Sequence, residues 1–376
     1  MKIGIVGGGP AGLYFALLTK KHDPRHHIVV YEQNPAGATY GWGIVFSGRA
    51  LSFLEDSDPL SYADIDDVLM VWDELHIGHR GEIIPIDGSI FSGIARVDLL
   101  QILQRHCRQR GVELHFETRL ENLDRLADCD LIVGADGVNS AVRQRNRAHF
   151  QPTEEYLSNK YIWYGTHQRF PALSLIWRES EAGAFVSHAY PYSETTSTFI
   201  VECEADTWER AGFAEMSDEE SRAYCEGVFQ VELDGHALLS NKSTWLNFKA
   251  VRNKNWYHRN IVLIGDALRT VHFSIGSGTR TALEDAIALF EAFAAHGSDV
   301  ATAFPAFEAN RRPSSDALLD VARRSRYWYE HYSDILHLAP LDFAYDYMTR
   351  SGRVDREKLR EHAPRFMAAY EACSVA

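Results

Sequence analysis

The first thirty-two residues constrain the fold most. Ile3 to Val6 is a short, apolar, β-branched run, the composition of a buried parallel strand. It leads directly into Gly7-Gly8-Gly9-Pro10-Ala11-Gly12, which matches GxGxxG, and an amphipathic helix is expected from about Ala11 to Lys20. A second strand, Ile28 to Tyr31, ends in Glu32, 20 residues after Gly12. Each part has a physical task. Gly7 permits the tight turn, Gly9 lets the backbone approach a pyrophosphate, and Gly12 lets helix and strand pack closely. The helix N-terminus offers free N–H groups and a positive dipole end to phosphates. Glu32 can accept from a ribose 2′-hydroxyl and would repel a 2′-phosphate. Strand, glycine turn, helix, second strand and terminal acid stand in the order a dinucleotide cradle requires. At this point FAD and NAD both fit it.

Composition narrows the class. The chain of 376 residues suggests two or three domains. With 38 Lys and Arg against 52 Asp and Glu, the formal net charge is −14, which argues against a general nucleic-acid binder. A local basic pocket for a phosphorylated ligand remains compatible with that charge. The five cysteines, Cys107, Cys129, Cys203, Cys225 and Cys373, have no CxxC spacing, so neither a disulfide framework nor a structural zinc site is expected. Their odd number fits a reducing cytoplasm. No apolar run approaches the ~18 residues of a membrane span, so no membrane partner is expected.

Two further motifs separate FAD from NAD. Leu131 to Asp136 reads as a buried strand and continues as Gly137-Val138-Asn139-Ser140-Ala141-Val142-Arg143. Ile261 to Ile264 is another apolar strand, ending in Gly265-Asp266-Ala267. The first resembles the Asp-Gly motif of flavin-dependent aromatic hydroxylases, the group A flavoprotein monooxygenases; the second resembles their Gly-Asp motif. All three motifs fall in that family's order, and the resemblance covers essentially the whole chain. It implies an α/β fold: a Rossmann-like FAD-binding domain with an interleaved antiparallel β-sheet substrate domain and C-terminal helices. It implies FAD as cofactor, NADH or NADPH as a transient reductant, O2 as co-substrate, and oxygen transfer from a flavin C4a-hydroperoxide to an electron-rich ring. No second GxGxxG is present for the nicotinamide, which agrees with transient docking.

The segment after Gly265-Asp266-Ala267 departs from the common family pattern. Leu268-Arg269 stands for Ala-His, His272-Phe273 for a Pro-Pro pair, and Arg280 for an Asn. His272-Phe273-Ser274-Ile275-Gly276-Ser277-Gly278-Thr279 is similar to the flavin domains of salicylyl-CoA 5-hydroxylases and anthraniloyl-CoA monooxygenases, and to the tryptophan hydroxylase of violacein biosynthesis. A helix is expected from about Thr279, with Gly297 as its stop signal. Its glycine-rich N-terminus can set N–H groups beside the flavin N1–C2=O edge. By resemblance, the FAD contacts are Gly7, Gly9, Pro10, Ala11, Gly12, Glu32, Gln33, Trp42, Gly43, Arg96, Asp136, Gly265, Asp266, Gly276, Ser277, Gly278 and Thr279. His272, Phe273 and Gly276 form the catalytic segment, with His272 as the candidate hydrogen-bond partner of the substrate phenol or the peroxide.

Between about Lys160 and Phe248 the pattern changes to short aromatic and β-branched segments with hairpin-like spacing, the signature of an antiparallel sheet. His188, Tyr190 and Tyr192 alternate and so share one strand face. His188 and Tyr190, with Val45, His272 and Phe273, are the candidate substrate contacts. Ser217 and Glu220 form a capping box ahead of a helix to about Gln230. The domains are read as FAD-binding at 1–75, 96–158 and 256–297, substrate-binding at 76–95 and 159–255, and helical at 298–376. The expected partner is a small aromatic substrate, as its CoA thioester, on a monomer or homodimer. For CoA phosphates the candidate clusters are Arg143, Arg145 and Arg147, and Arg311, Arg312, Arg323, Arg324 and Arg326. Two alternatives stand beside the conversion of salicylyl-CoA to 2,5-dihydroxybenzoyl-CoA. One is hydroxylation of a free tryptophan or indole; the other is a non-oxygenating FAD-binding reductase or carrier.

Overall fold

The computed structural model describes residues 1–38, 41–47, 51–297 and 299–374. The apolar runs at Lys2–Val6, His27–Tyr31, Leu131–Gly134 and Ile261–Leu263 come together in a six-stranded sheet, extended by Glu113–His115 on one edge and Tyr257–His258 on the other. All its pairings are parallel except Tyr257–His258 with Ile261–Leu263. The first helix, Pro10–His22, has Pro at its start and Lys20, Lys21 and His22 in its last turn, where cations favour the dipole. It is buried from Ala11 to Thr19 because the sheet and the helices Arg96–Gln109 and Gly278–Ala295 enclose it.

The second sheet has eight strands. The long strand Pro152–Thr166 pairs antiparallel with Ser197–Cys203, which continues through Gly183–Pro191 and Leu173–Ser180. Leu246–Asn253 also pairs with Pro152–Thr166, crossing the border read at residues 158 and 159. Leu75–His79 joins Leu173–Ser180 in parallel and pairs with Glu82–Ile86, so the sheet is mixed at that edge. Phe91–Ala95 goes elsewhere: with Gly43–Ser47 and Met70–Trp72 it forms a three-stranded antiparallel sheet. The helix Asp218–Val228 carries both halves of the capping box at Ser217 and Glu220.

Period-two alternation assigns the two faces of the large sheet. Ile162, Tyr164, Phe185, Phe199 and Val201 point to a core shared with Phe213, Cys225 and Phe229. The alternate residues Tyr161, Trp163, Leu175, His188, Tyr190 and Ile200 line a cavity between this sheet and the FAD-side loops. Further along that same face, Trp177 and Val186 are covered by Tyr329, Tyr332 and Phe343 of the C-terminal helices. The 30-residue helix Val300–Tyr329, capped by the Asp299 side chain, thus closes one end of the cavity.

Candidate active site

The glycine turn is built for a phosphate. Gly7 has φ of 108°, and a Cβ there would overlap the Ala135 carbonyl; one on Gly12 would overlap the Gly7 carbonyl. A Cβ on Gly9 would meet nothing within 4 Å, so the backbone there opens onto free space. Gly9 caps the helix Pro10–His22 without any side-chain acceptor, leaving the first-turn N–H groups beyond Pro10 for a ligand. Ala11 is buried behind them. Glu32 braces the turn: its carboxylate accepts from Gly8 N–H at 2.8 Å and from Asn34 N–H at 2.8 Å. Gln33 is exposed beside it.

Asp136 lies at the end of Leu131–Gly134 and accepts from Ala141 N–H at 2.6 Å and Val142 N–H at 3.2 Å. Its second oxygen is buried without a partner, and burial pushes its pKa up. Asp266 opens into the cavity with Arg96. Enclosure raises its pKa, opposed by the charges of Arg96 and Arg269. Gly276, Ser277, Gly278 and Thr279 line the same cavity, and Ser277 caps the helix Gly278–Ala295 with no side-chain bond to its amides. An open Gly9 cradle, an orphaned Asp136 oxygen, an accessible Asp266 and a bare helix N-terminus fit FAD along its length. These groups would hold pyrophosphate, ribitol and the electron-rich flavin edge.

The cavity encloses about 640 Å³, within the range of small-molecule sites. Of the expected residues, Gly43, Val45, Arg96, Asp266, His188, Tyr190 and Phe273 line it. The Tyr190 hydroxyl donates to the Gly43 carbonyl at 2.9 Å, so it pins the neighbouring strand. Gly265 is buried behind the wall, with φ of 60°. Trp42 is not among the lining residues. Its ring lies against Gly165, where a Cβ would come within 2.6 Å, and its carbonyl accepts from Arg96 N–H at 3.0 Å. Tyr192 lies past the end of Gly183–Pro191, packed on Gly43.

His272 also lies behind the wall rather than in it. Its Nδ1 accepts from Ser274 N–H at 3.3 Å, capping the turn Phe273–Ile275, and its ring stacks on Phe273 at 4.4 Å. Burial, with the charges of His188, Arg326 and Arg350 adding to it, pushes its pKa down to about 3. A neutral imidazole with Nδ1 committed to the backbone holds the loop that presents Phe273 and Gly276. Among the described residues the histidine that lines the cavity is His188, with Glu202 behind it at 3.1 Å.

The departure at Leu268-Arg269 has a structural account. Leu268 is fully buried in the core. Arg269 donates twice to Asp285, at 2.6 Å each, and Arg311 donates to the same carboxylate at 2.9 Å. Asp285 also accepts from Gly265 N–H at 3.0 Å. The cluster therefore ties the turn carrying Asp266 to the helices Gly278–Ala295 and Val300–Tyr329. Arg311 is thereby removed from the candidate phosphate ligands. So are Arg312, paired with Glu308, and Arg143, fully buried and bound to the Ala267 carbonyl at 2.9 Å and to Glu154 at 3.0 Å. Arg323, Arg324 and Arg326 line a groove of about 560 Å³ beside the cavity, and Arg350 lines both. Sequence reading passed over Glu202 and Arg350. The single available signal for Glu202 was a lone acid in the apolar strand Ser197–Cys203.

A dinucleotide cradle opening into an aromatic-lined cavity under an antiparallel sheet defines a flavin-dependent aromatic hydroxylase. The family model for the FAD binding domain matches residues 75–322, and the chain belongs to that family. It is 38% identical over 369 residues to a salicyloyl-CoA 5-hydroxylase of a Streptomyces species, covering 96% of this chain and 71% of that one. It is 37% identical over 360 residues to a protodeoxyviolaceinate monooxygenase of Chromobacterium violaceum, covering 93% and 94%. The fold matches the tetrameric form of 2-methyl-3-hydroxypyridine-5-carboxylic acid oxygenase, with a TM-score of 0.73 at 19% identity, over 93% of this chain and 97% of that one. The protein is an FAD-dependent aromatic monooxygenase, using NADH or NADPH and O2. Among the described residues no helix is long and apolar enough to cross a membrane.

Proposed function

We propose that the chain hydroxylates an electron-rich aromatic acid carried as a CoA thioester, with salicyloyl-CoA as substrate and 2,5-dihydroxybenzoyl-CoA as product. The position para to the ring hydroxyl is the activated one, and an electrophilic oxygen goes there. The observation that carries the reading is the cationic mouth. Arg350 is held by Ser325 Oγ at 3.0 Å, the Tyr347 carbonyl at 2.8 Å and the Ser274 carbonyl at 2.9 Å. Among the described residues no carboxylate lies within 4 Å of it. Arg353, exposed at the same rim, and Arg324, bound to the Ser351 carbonyl at 2.6 Å, likewise have no acidic partner. Guanidinium groups without a carboxylate suit phosphate oxygens. The groove also carries Glu330, Asp334 and Asp346, so its arginines act locally in a chain of net charge −14.

FAD, held by the open turn at Gly9, by Asp136 and by Asp266, would supply hydride acceptance and O2 activation. The protein's part is to seal and orient. Phe273, Tyr161, Leu175 and Ile200 exclude water from the reacting ring, which protects the oxidant from wasteful decay. The bare N-terminus of Gly278–Ala295 favours negative charge on the reduced flavin.

The test is product mass after incubation of the FAD-loaded protein with NADH or NADPH, O2 and salicyloyl-CoA, with free salicylate and tryptophan in parallel. A gain of one oxygen on the thioester alone is expected. A gain on tryptophan alone would move the reading to indole chemistry, which the 37% identity to the violacein-pathway enzyme favours as second choice. Arg350→Gln and Arg353→Gln are expected to raise KM for the thioester with little change in kcat.

A further inference from the structure

Glu202 stands where a carboxylate is costly. It is 1% exposed, on the strand Ser197–Cys203, and it faces the same side as the apolar Ile200. Removing a carboxylate from water costs several kcal/mol unless it is paired and hydrogen-bonded. Both of its oxygens are used. The His188 Nε2–H donates to Oε2 at 3.1 Å, and Asn159 Nδ2 donates to Oε1 at 2.9 Å while also donating to the Tyr329 carbonyl at 2.8 Å. The register explains the contact: His188 lies opposite Ile200 and Glu202 opposite Val186, so the two are diagonal neighbours on one face. Tyr329 stacks on the imidazole at 5.3 Å and Phe273 meets its edge at 5.4 Å. With Nε2 committed to the carboxylate, Nδ1 is left as a bare acceptor. His188 lines the cavity, and no described protein group hydrogen-bonds its Nδ1.

The other titratable groups packed around this point are unsuited to take a proton near neutrality. Tyr161, directly across from Glu202, has its hydroxyl pushed up to about 12 by burial. The Tyr329 hydroxyl is raised by burial and shared with Tyr347 at 3.5 Å. His272 is held neutral with Nδ1 on Ser274 N–H. Arg326 and Arg350 are cations on the C-terminal side, Arg326 paired with Glu155 at 3.4 Å.

We propose that His188 is the base that removes the ring-hydroxyl proton of the substrate, and that Glu202 is a positioning residue that fixes its tautomer and stabilises the imidazolium. This rests on the reading of a hydroxyl-bearing ring as substrate. In the step, the substrate O–H bond breaks and its proton forms the Nδ1–H bond. The electron pair stays on oxygen and enriches the para carbon. After that carbon has gained oxygen, its hydrogen leaves as a proton to solvent, and His188 returns its own proton to the ring oxygen. With a phenol bound at Nδ1, carboxylate, imidazole and substrate hydroxyl would stand in one chain of hydrogen bonds, with Glu202 facing the proton that His188 already carries on Nε2.

The test uses the FAD-loaded, oxidised protein without reductant, so that no turnover intervenes. Salicyloyl-CoA and, separately, 4-nitrophenol are bound, and ionisation of each bound phenol is followed by absorbance against pH in wild type, His188→Asn and Glu202→Gln. Wild type is expected to ionise the bound phenol at lower pH than Glu202→Gln by about one pH unit, a tenfold change in the ionisation constant. His188→Asn should abolish the dependence. All variants should keep the bound-FAD spectrum. Identical ionisation profiles in the three proteins would overturn the base while leaving the substrate reading intact. If salicyloyl-CoA does not bind, the thioester reading fails and the 4-nitrophenol profiles still decide the base. Failure of both phenols to bind wild type would overturn the proposal.

Discussion

Arg269→Met tests how the flavin-side turn is held. The substitution keeps much of the volume and removes two charge-assisted hydrogen bonds to Asp285, each 2.6 Å, in a site where Asp285 is 0% and Arg269 3% exposed. At roughly 1.5–3 kcal/mol per such bond, the gross loss is about 3–6 kcal/mol. Asp285 keeps Arg311 at 2.9 Å and the Gly265 amide at 3.0 Å, so its charge is not left bare. The expected cost is therefore about 3 kcal/mol, a large part of the ~5–15 kcal/mol typical of a folded protein. Urea unfolding of the holoenzyme, followed by tryptophan fluorescence and flavin release, measures it. The double variant Arg269→Met, Asp285→Leu supplies the control. Arg311 retains Glu284 at 2.6 Å, so removing both members of the pair leaves no unpaired charge. The double variant should be more stable than the sum of the two single effects predicts, by about 2 kcal/mol. FAD affinity should fall in Arg269→Met, because the Asp285 carboxylate also holds the Gly265 amide next to Asp266. A cost below about 1 kcal/mol, or strict additivity in the double variant, would refute the argument that the broken Arg269–Asp285 pair drives the loss.

Other outcomes follow from the same structure. His272 has a folded-state pKa of about 3, against ~6.5 when unfolded, so the unfolded chain binds the extra proton between these values. Stability from this residue is complete above pH ~6.5 and is lost as pH falls toward 3; His272→Asn should flatten that limb in urea titrations at several pH values. Gly9→Ala should change apo-protein stability by less than about 0.5 kcal/mol, since its Cβ meets nothing within 4 Å, yet weaken FAD binding tenfold or more in fluorescence titration. Gly12→Ala should lower stability by roughly 1–3 kcal/mol, because its Cβ overlaps the Gly7 carbonyl. Tyr190→Phe should leave substrate ionisation unchanged and loosen the strand Gly43–Ser47, seen as faster amide exchange there.

Some of the site was legible in the linear chain because its signal is local. The turn Gly7 to Gly12 needs its glycines for reasons that lie within a few residues of each, and the parallel strands are marked by continuous apolar runs. The capping box at Ser217 and Glu220 is likewise a contact across one turn. Charge was less readable. Arg143, Arg311 and Arg312 look like Arg323 and Arg324 in sequence, yet the first two are internal braces, Arg312 is paired along its own helix, and the last two line an open groove. The difference is made by Glu154, Asp285 and Glu308, and two of these partners belong to other elements of the fold.

The histidines show the division most plainly. The chain by itself determined the nucleotide cradle and the existence of an aromatic-rich sheet, since each is encoded by a periodicity or a short motif, and its Asp136 and Asp266 motifs carried the resemblance that implies FAD. It also placed His272 within the loop beside the cavity. Only the tertiary structure decided that His272 caps that loop from behind while His188 faces the cavity with Glu202 at its back. That choice depends on the register of Gly183–Pro191 against Ser197–Cys203 and on which face the C-terminal helices cover. Both are set by packing between residues far apart in the chain, and no local pattern carries them.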